Sequence, residues 1–438
     1  MTTSEVTGNP AQETAAVPEK SGRRADSYIW AIFIVLCIVA VVELYSASSF
    51  EVKSDNVFGP LLRHGIMLIA GTGIAYGLSR IPYRWFIPMI PVFVCISIGL
   101  MLWVLVNGEI VNGARRSFDL LGIAIQPAEF LKLSVVLTIA LIMSRTQIKG
   151  GGISDKGIVA TALAVLMFGG LLFTQGLTNT ILLMAISLSM MLIAGIQWKK
   201  FFLVLLAYGV AAGCGVLYKS KAGDDRKQLE MTEVAAAKGE IVPSRMSTWQ
   251  ARISRYLGTN DSIPKHKQPI TAENRQEMFS YIAQANGGAF GVLPGNSREA
   301  ARVPLAFSDY IFAIIVEDLG FFGGFVLMIV YLSLLARAGN IASRCARVFP
   351  ALLVMGMAVM IVFQALFHMA IVTGVFPVSG QPLPLISKGG SSILITSIAF
   401  GIMLSVSAFA VRSGKRKEIK EEMEALPEEV RAENPTQV

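Results

Sequence analysis

Charge is scarce in this chain: Asp, Glu, Lys and Arg make up 16% of its 438 residues, against about a quarter in an ordinary soluble domain. With 53% hydrophobic residues, that scarcity excludes a water-soluble enzyme, a disordered chain, a collagenous chain and a small disulfide-rich scaffold. Cysteine is equally sparse. Cys37, Cys95 and Cys214 stand singly in apolar runs and Cys345 in a short basic segment, which leaves neither a disulfide framework nor a metal cluster. The three histidines, His64, His266 and His368, have no ligand spacing, so no structural metal is expected. No internal repeat at solenoid or transporter periods is found.

What is abundant is apolar sequence in runs near 20 residues, the length that crosses ~30 Å of hydrocarbon as a helix with its backbone hydrogen bonds closed. Ten such runs are expected to span, at 28–46, 61–79, 85–106, 127–144, 156–174, 177–196, 200–218, 308–336, 348–376 and 384–411. The expected fold class is therefore an all-α polytopic membrane protein of ten transmembrane helices, with one long external loop between the seventh and eighth. Its organisation reads as a disordered cytoplasmic tail (1–27), membrane helices 1–7 (28–218), a long extracytoplasmic loop (219–307), membrane helices 8–10 (308–411) and a cytoplasmic tail (412–438). Ser46-Ala47-Ser48 loosely imitates a signal-peptidase site, but the run before it is too long for a signal peptide and more spans follow. The first helix is expected to be retained.

Lys and Arg number 38 against 30 Asp and Glu. In a membrane protein that excess is a topology signal and not a nucleic-acid footprint. Alternate short segments carry Lys20/Arg23/Arg24, Arg80/Arg84, Arg145/Lys149/Lys156, Lys199/Lys200, Arg337/Arg344/Arg347 and Arg412/Lys415/Arg416/Lys417, whereas the segments between them hold little beyond Lys53, Arg115, Arg116 and Lys388. Both termini are therefore expected in the cytoplasm. The 13 Lys and Arg of the 89-residue loop 219–307 do not oppose this, because loops beyond about 60 residues escape the rule.

Ionisable groups in or beside apolar runs are the informative ones, since each costs about 2.5–3.5 kcal/mol at a helix centre on insertion scales. Glu129 and Lys132 follow Gln126-Pro127 and share one helix face. They suit either mutual neutralisation or a phosphate-facing role for Lys132. Arg115 and Arg116, in the polar external loop that begins Asn112-Gly113-Ala114, suit phosphate recognition by planar forks, or snorkelling to headgroups. Asp309 is expected as the second residue of the eighth span, at its external mouth, where a first-turn carboxylate is also favoured by the helix dipole. Glu317 and Asp318, deeper in the same span, demand a partner or a watery cavity. From Pro377 to Ser392, three prolines break the helix before Gly389-Gly390-Ser391-Ser392 opens the next run. Helix starts of small residues with free amides are anion sites by geometry, and broken backbone at membrane depth must be buried in protein or line a cavity.

These motifs together resemble the SEDS family (shape, elongation, division and sporulation), ten-span polymerases of bacterial peptidoglycan. The resemblance runs from about Tyr45 to Arg412. It is carried by Tyr45-Ser46-Ala47-Ser48-Ser49, Asn112 to Arg116, Gln126-Pro127-Ala128-Glu129 with Lys132, Ser308-Asp309-Tyr310-Ile311-Phe312-Ala313 with Glu317-Asp318-Leu319-Gly320, and Pro377 to Ser392, in order. Gly295-Asn296-Ser297 and Ile386-Ser387-Lys388-Gly389-Gly390 are similar to forms of its division-type branch. The chain departs from the family at Gln175 to Thr180, where an acidic residue is missing, at His368, where Asn is usual, and at Phe279, which replaces a second Gln after Gln276.

The resemblance implies transfer of a growing glycan from its undecaprenyl-diphosphate carrier to the 4-hydroxyl of incoming lipid II, with Asp309 catalytic and the long external loop shaping the site. Such a transfer needs a base for the hydroxyl and cations for the departing diphosphate. Asp309 is expected as the base, with Arg115, Arg116, Lys132 and Lys388 as candidate cations. Glu129, Ser391 and Ser392 complete the expected substrate-binding set. No cofactor is firmly implied, although a divalent ion, Mg or Mn, is compatible with the same role. Implied partners are lipid II, the lipid-linked glycan, a class B penicillin-binding transpeptidase, other division proteins and membrane lipids, at the septal inner membrane. An elongation-type polymerase, a lipid II flippase and a pure division scaffold are the competing readings.

Overall fold

The computed structural model describes residues 25–48, 58–111, 114–120, 123–148, 151–234, 269–271, 274–300, 302–303 and 306–410. Eleven α-helices occur among them: α1 (Ser27–Ser48), α2 (Phe58–Ser79), α3 (Phe86–Asn107), α4 (Pro127–Arg145), α5 (Asp155–Phe173), α6 (Leu177–Ile193), α7 (Trp198–Val234), α8 (Arg275–Gly287), α9 (Ile311–Ala342), α10 (Val348–Val372) and α11 (Gly390–Phe409). Eight are long and apolar enough to cross a membrane, those being α1, α3, α4, α5, α7, α9, α10 and α11. The other two expected spans are helical as well, α2 with 22 residues and α6 with 17. The chain is a multi-pass membrane protein.

Local chemistry sets the ends. Pro127 opens α4 at a position where its missing N–H costs nothing. Ser154 caps α5 by accepting the Gly157 amide at 3.2 Å. α10 and α11 are buried on nearly all sides, as expected of helices apolar all round. α2 lies against α11 in the same direction, Gly71 facing Ser397 and Ile393 while Gly401 faces Ala75 and Leu78. A side chain at Gly71 would come within 2.4 Å of the Ser397 hydroxyl, so this pair packs backbone to backbone.

Several boundaries differ from expectation. α9 begins at Ile311 and leaves Asp309 on the preceding turn. α10 ends at Val372, and α11 begins only at Gly390, because Pro382 and Pro384 offer no amide to continue a helix. α7 runs on past its apolar part to Val234. Residues 235–268 of the expected long loop, with 1–24 and 411–438, lie outside the described residues.

The expected polar loop after α3 is instead a three-stranded antiparallel sheet of β1 (Glu109–Val111), β2 (Ala114–Leu120) and β3 (Ile123–Ile125), in that order. Arg115 pairs with Ile110, and Phe118 with Ile125. The two residues between β1 and β2 are Asn112-Gly113, the strongest short hairpin signal.

α9 breaks at Gly320, where φ is 74°. The segment after α8 fills the break. The Val292 and Leu293 amides donate to the Glu317 and Asp318 carbonyls at 3.0 and 2.9 Å, and the Phe321 and Phe322 amides donate to those of Gly288 and Ala289 at 2.9 and 3.2 Å. A methyl group at 320 would stand 2.4 Å from the Ala289 carbonyl oxygen. Backbone freed from the helix is thus satisfied by an inserted strand-like segment.

Candidate functional site

The starts of α4, α9 and α11 converge at the end of the bundle that carries the sheet. Asp309 is half-buried on the turn before α9, and the Ser308 hydroxyl donates to its Oδ1 at 2.9 Å. The non-helical segment 377–389 lies directly alongside. The Lys388 amide donates to the Phe307 carbonyl at 2.8 Å, and the Ser387 hydroxyl to the Ser308 carbonyl at 2.7 Å. Lys388 is exposed and its Nζ lies 5.2 Å from the centre of the Phe307 ring, a cation–π distance. Asp309 and Lys388, 79 residues apart in sequence, therefore flank one mouth.

Segment 377–389 is held from behind by side chains of the spans. The Tyr331 hydroxyl donates to the Pro384 carbonyl at 2.6 Å and the Gln364 amide to that of Pro382 at 3.3 Å. His368 Nδ1 lies 2.6 Å from the Gln381 carbonyl, and Gln381 Nε2 donates to Asn179 at 2.8 Å. Two departures from the family pattern, His368 and the 175–180 segment, thus meet on one glutamine. Leu385 takes φ 66° while fully buried, a left-handed conformation that costs a branched residue energy and persists only where surroundings impose it.

Lys132 is fully buried. Its Nζ donates to Glu129 Oε1 at 2.7 Å and to Gln364 Oε1 at 2.9 Å. Gln364 returns Nε2 to both Glu129 oxygens at 3.5 and 3.4 Å. The cluster touches the mouth through the bond from Gln364 to Pro382. It forms a wall behind the 377–389 segment, and Lys132 has no exposed surface there. Ser391 and Ser392 open α11, whose start carries no side-chain cap. The Ser391 hydroxyl accepts the Gln126 amide at 2.9 Å, tying the start of α4 to that of α11. Arg115 and Arg116 lie on β2, and their side chains fall outside the described residues.

The deeper acids find partners. Glu317 accepts from the Ser297 hydroxyl at 2.5 Å, from the Arg298 amide at 3.0 Å and from the Glu299 amide at 3.3 Å. Asp318 accepts from the Ser46 hydroxyl, whose oxygen in turn accepts the Gly295 amide at 2.8 Å. The two carboxylates therefore brace the inserted segment against α1 and α9. Sequence reasoning passed over Gln364 and Ser387, which carry no charge, and also Glu43, a fully buried carboxylate in α1 within electrostatic reach of Asp318. An acid inside the first apolar run was signal enough for Glu43. Among the described residues, no group of three or more His, Cys, Asp or Glu is placed to hold a metal ion.

A family model described as "Cell cycle protein", FtsW/RodA/SpoVE, matches residues 26–412. The probable peptidoglycan glycosyltransferase FtsW of Pseudoalteromonas translucida is 28% identical over 403 residues, 90% of this chain and 92% of that protein. Stage V sporulation protein E of Bacillus subtilis is 27% identical over 392 residues, 86% of this chain and 96% of that protein. Among solved structures, a chain from "Structural coordination of polymerization and crosslinking by a peptidoglycan synthase complex" has a TM-score of 0.64 at 24% identity, over 87% of this chain and 97% of that one. The rod shape determining protein RodA of Thermus thermophilus has a TM-score of 0.59 at 22% identity, over 89% of this chain and 98% of that one. With its helices, its broken α9 and its mouth all inside the matched span, this chain belongs to the FtsW/RodA/SpoVE family of cell cycle proteins.

Proposed function

We propose that this chain is a peptidoglycan glycosyltransferase of the FtsW type, polymerising lipid II into glycan strands for the septal wall during division. The observation that carries this reading is the half-buried Asp309 carboxylate, held beside Lys388 and the uncapped start of α11 by the bonds from 387 and 388 to 307 and 308. In the reaction, Asp309 takes the proton of the acceptor 4-hydroxyl as its oxygen attacks the anomeric carbon of the growing glycan. The bond from that carbon to the diphosphate breaks, and the carrier leaves as undecaprenyl diphosphate. Lys388, Arg115 and Arg116 meet the departing charge, and Ser391 and Ser392 supply neutral donors. Glu129 and Lys132 act as positioning residues through Gln364 and the 377–389 segment.

The names of the curated relatives support the activity and its division type. The similar chain whose title couples polymerization to crosslinking supports a class B penicillin-binding transpeptidase as partner. The positive-inside pattern supports cytoplasmic termini, with the mouth on the outer side of the inner membrane. The test is incubation of purified protein with lipid II, followed by resolution of the products by length. Glycan strands that vanish with Asp309→Asn support the reading. Transport of lipid II without strand formation, or strand formation indifferent to Asp309, overturns it.

A further inference from the structure

His64 belongs to no part of the mechanism above, yet it is buried at the same mouth. It lies in the second turn of α2 and is 4% exposed, and its Nε2 has no hydrogen-bond partner among the described residues. A buried ring nitrogen that the described residues leave without a partner is open to an acceptor supplied by a ligand. The packing of α2 on α11 tells where the imidazole stands. Gly71 abuts Ser397, and both helices run the same way. Seven residues back along each, about 10.5 Å at 1.5 Å per residue, His64 comes level with Gly390, the first residue of α11. Lys388 is close enough for its charge to act on His64.

Three kinds of donor gather there. The first amides of a 20-residue helix with no side-chain cap have no intrahelical acceptor. The Ser392 hydroxyl is buried and has no partner among the described residues. Lys388 brings a full positive charge. Amides, ammonium and imidazole N–H share one unmet need, an acceptor with negative charge, and a helix start supplies the field that favours it.

We propose that His64 Nε2 and the start of α11 together bind the diphosphate of a polyprenyl-linked substrate, with His64 donating to a phosphate oxygen that Lys388 also faces. The identity of this anion as a lipid diphosphate rests on the glycosyltransferase reading, whereas the charge it must carry does not.

The experiment measures binding of undecaprenyl diphosphate to the full-length protein in phosphatidylcholine nanodiscs by native mass spectrometry, with inorganic pyrophosphate and phosphatidylglycerol as competitors. His64→Leu is expected to weaken binding about tenfold or more, and His64→Gln, which keeps an N–H donor, to stay within about threefold of the unmodified protein. Unchanged binding in His64→Leu overturns the proposal, as does no binding by the unmodified protein, or His64→Gln as weak as His64→Leu with an unaltered unfolding midpoint. Equal competition by pyrophosphate or phosphatidylglycerol overturns the assignment to a lipid diphosphate. Assaying glycan synthesis from lipid II by the same unmodified protein separates the two readings. Binding that depends on His64 in an unmodified protein that makes no glycan sinks the polymerase and leaves this site. Glycan synthesis with binding indifferent to His64 does the reverse.

Discussion

The hydroxyl of Ser387 accepts the Leu383 amide and donates to the Ser308 carbonyl, both at 2.7 Å. One oxygen thus closes the turn of the 377–389 segment and fixes the residue beside Asp309. Ser387→Ala leaves a buried amide and a half-buried carbonyl unmet, at about 1–3 kcal/mol. Thermal unfolding in detergent should show that loss. Glycan synthesis should fall further than stability, because Asp309 loses its registration; equal losses would make Ser387 a purely structural residue.

Asp309→Asn should leave the unfolding midpoint nearly unchanged, since the residue is half-buried on a turn outside α9. Its rate of strand formation should drop about 10²–10⁴-fold, the usual contribution of a general base. Asp309→Glu should fall between, because its longer arm displaces the carboxylate.

Lys132→Met strands Glu129 in a dry wall, and breaking one side of a buried pair costs about 3–5 kcal/mol. The double variant Glu129→Gln/Lys132→Met should recover most of that stability, because no uncompensated charge remains. Activity that returns with stability assigns the pair to support of the 377–389 segment. A stable but inactive double variant would put Lys132 at the phosphates instead.

Gly320→Ala should destabilise by about 1–3 kcal/mol, since the backbone there is left-handed and the new methyl group meets the Ala289 carbonyl. Gly73→Ala in α2 is the control, as open space surrounds that position. Comparable losses at both positions would mean that the break in α9 is not held by the inserted segment.

Single cysteines placed within 225–300 and near Gly389 should react with a membrane-impermeant reagent from outside, and those near Lys199 and Lys415 should not. Labelling at Lys199 with none in the long segment would invert the orientation.

The helices were legible in the sequence because hydrocarbon thickness dictates their length, and each expected run of apolar residues contains one. Where local rules competed, the reading slipped. Asn112-Gly113 was a hairpin signal overshadowed by the neighbouring arginines, and Pro382 and Pro384 pushed the start of α11 six residues beyond the expected position. Asp309 and Lys388 stood out because charge beside an apolar run is conspicuous. Gln364, Ser387 and Tyr331 did not, since neutral polar residues are common in spans and only their long-range bonds distinguish them. Adjacent acids such as Glu317 and Asp318 inside a span demand partners, but spacing does not foretell that amides and hydroxyls from 46 and 297–299 supply them.

The splice at Gly320 also bears on the order in which the chain assembles. Its hydrogen bonds join residues 25 to 33 positions apart, so the closing loop is short and entropically cheap. The bonds from Ser46 to Asp318 and from Gln126 to Ser391 span 272 and 265 positions. Local pairings form ahead of such distant ones. The α8–α9 pairing is therefore expected to form ahead of the contact that brings the start of α4 to the start of α11 beside the mouth.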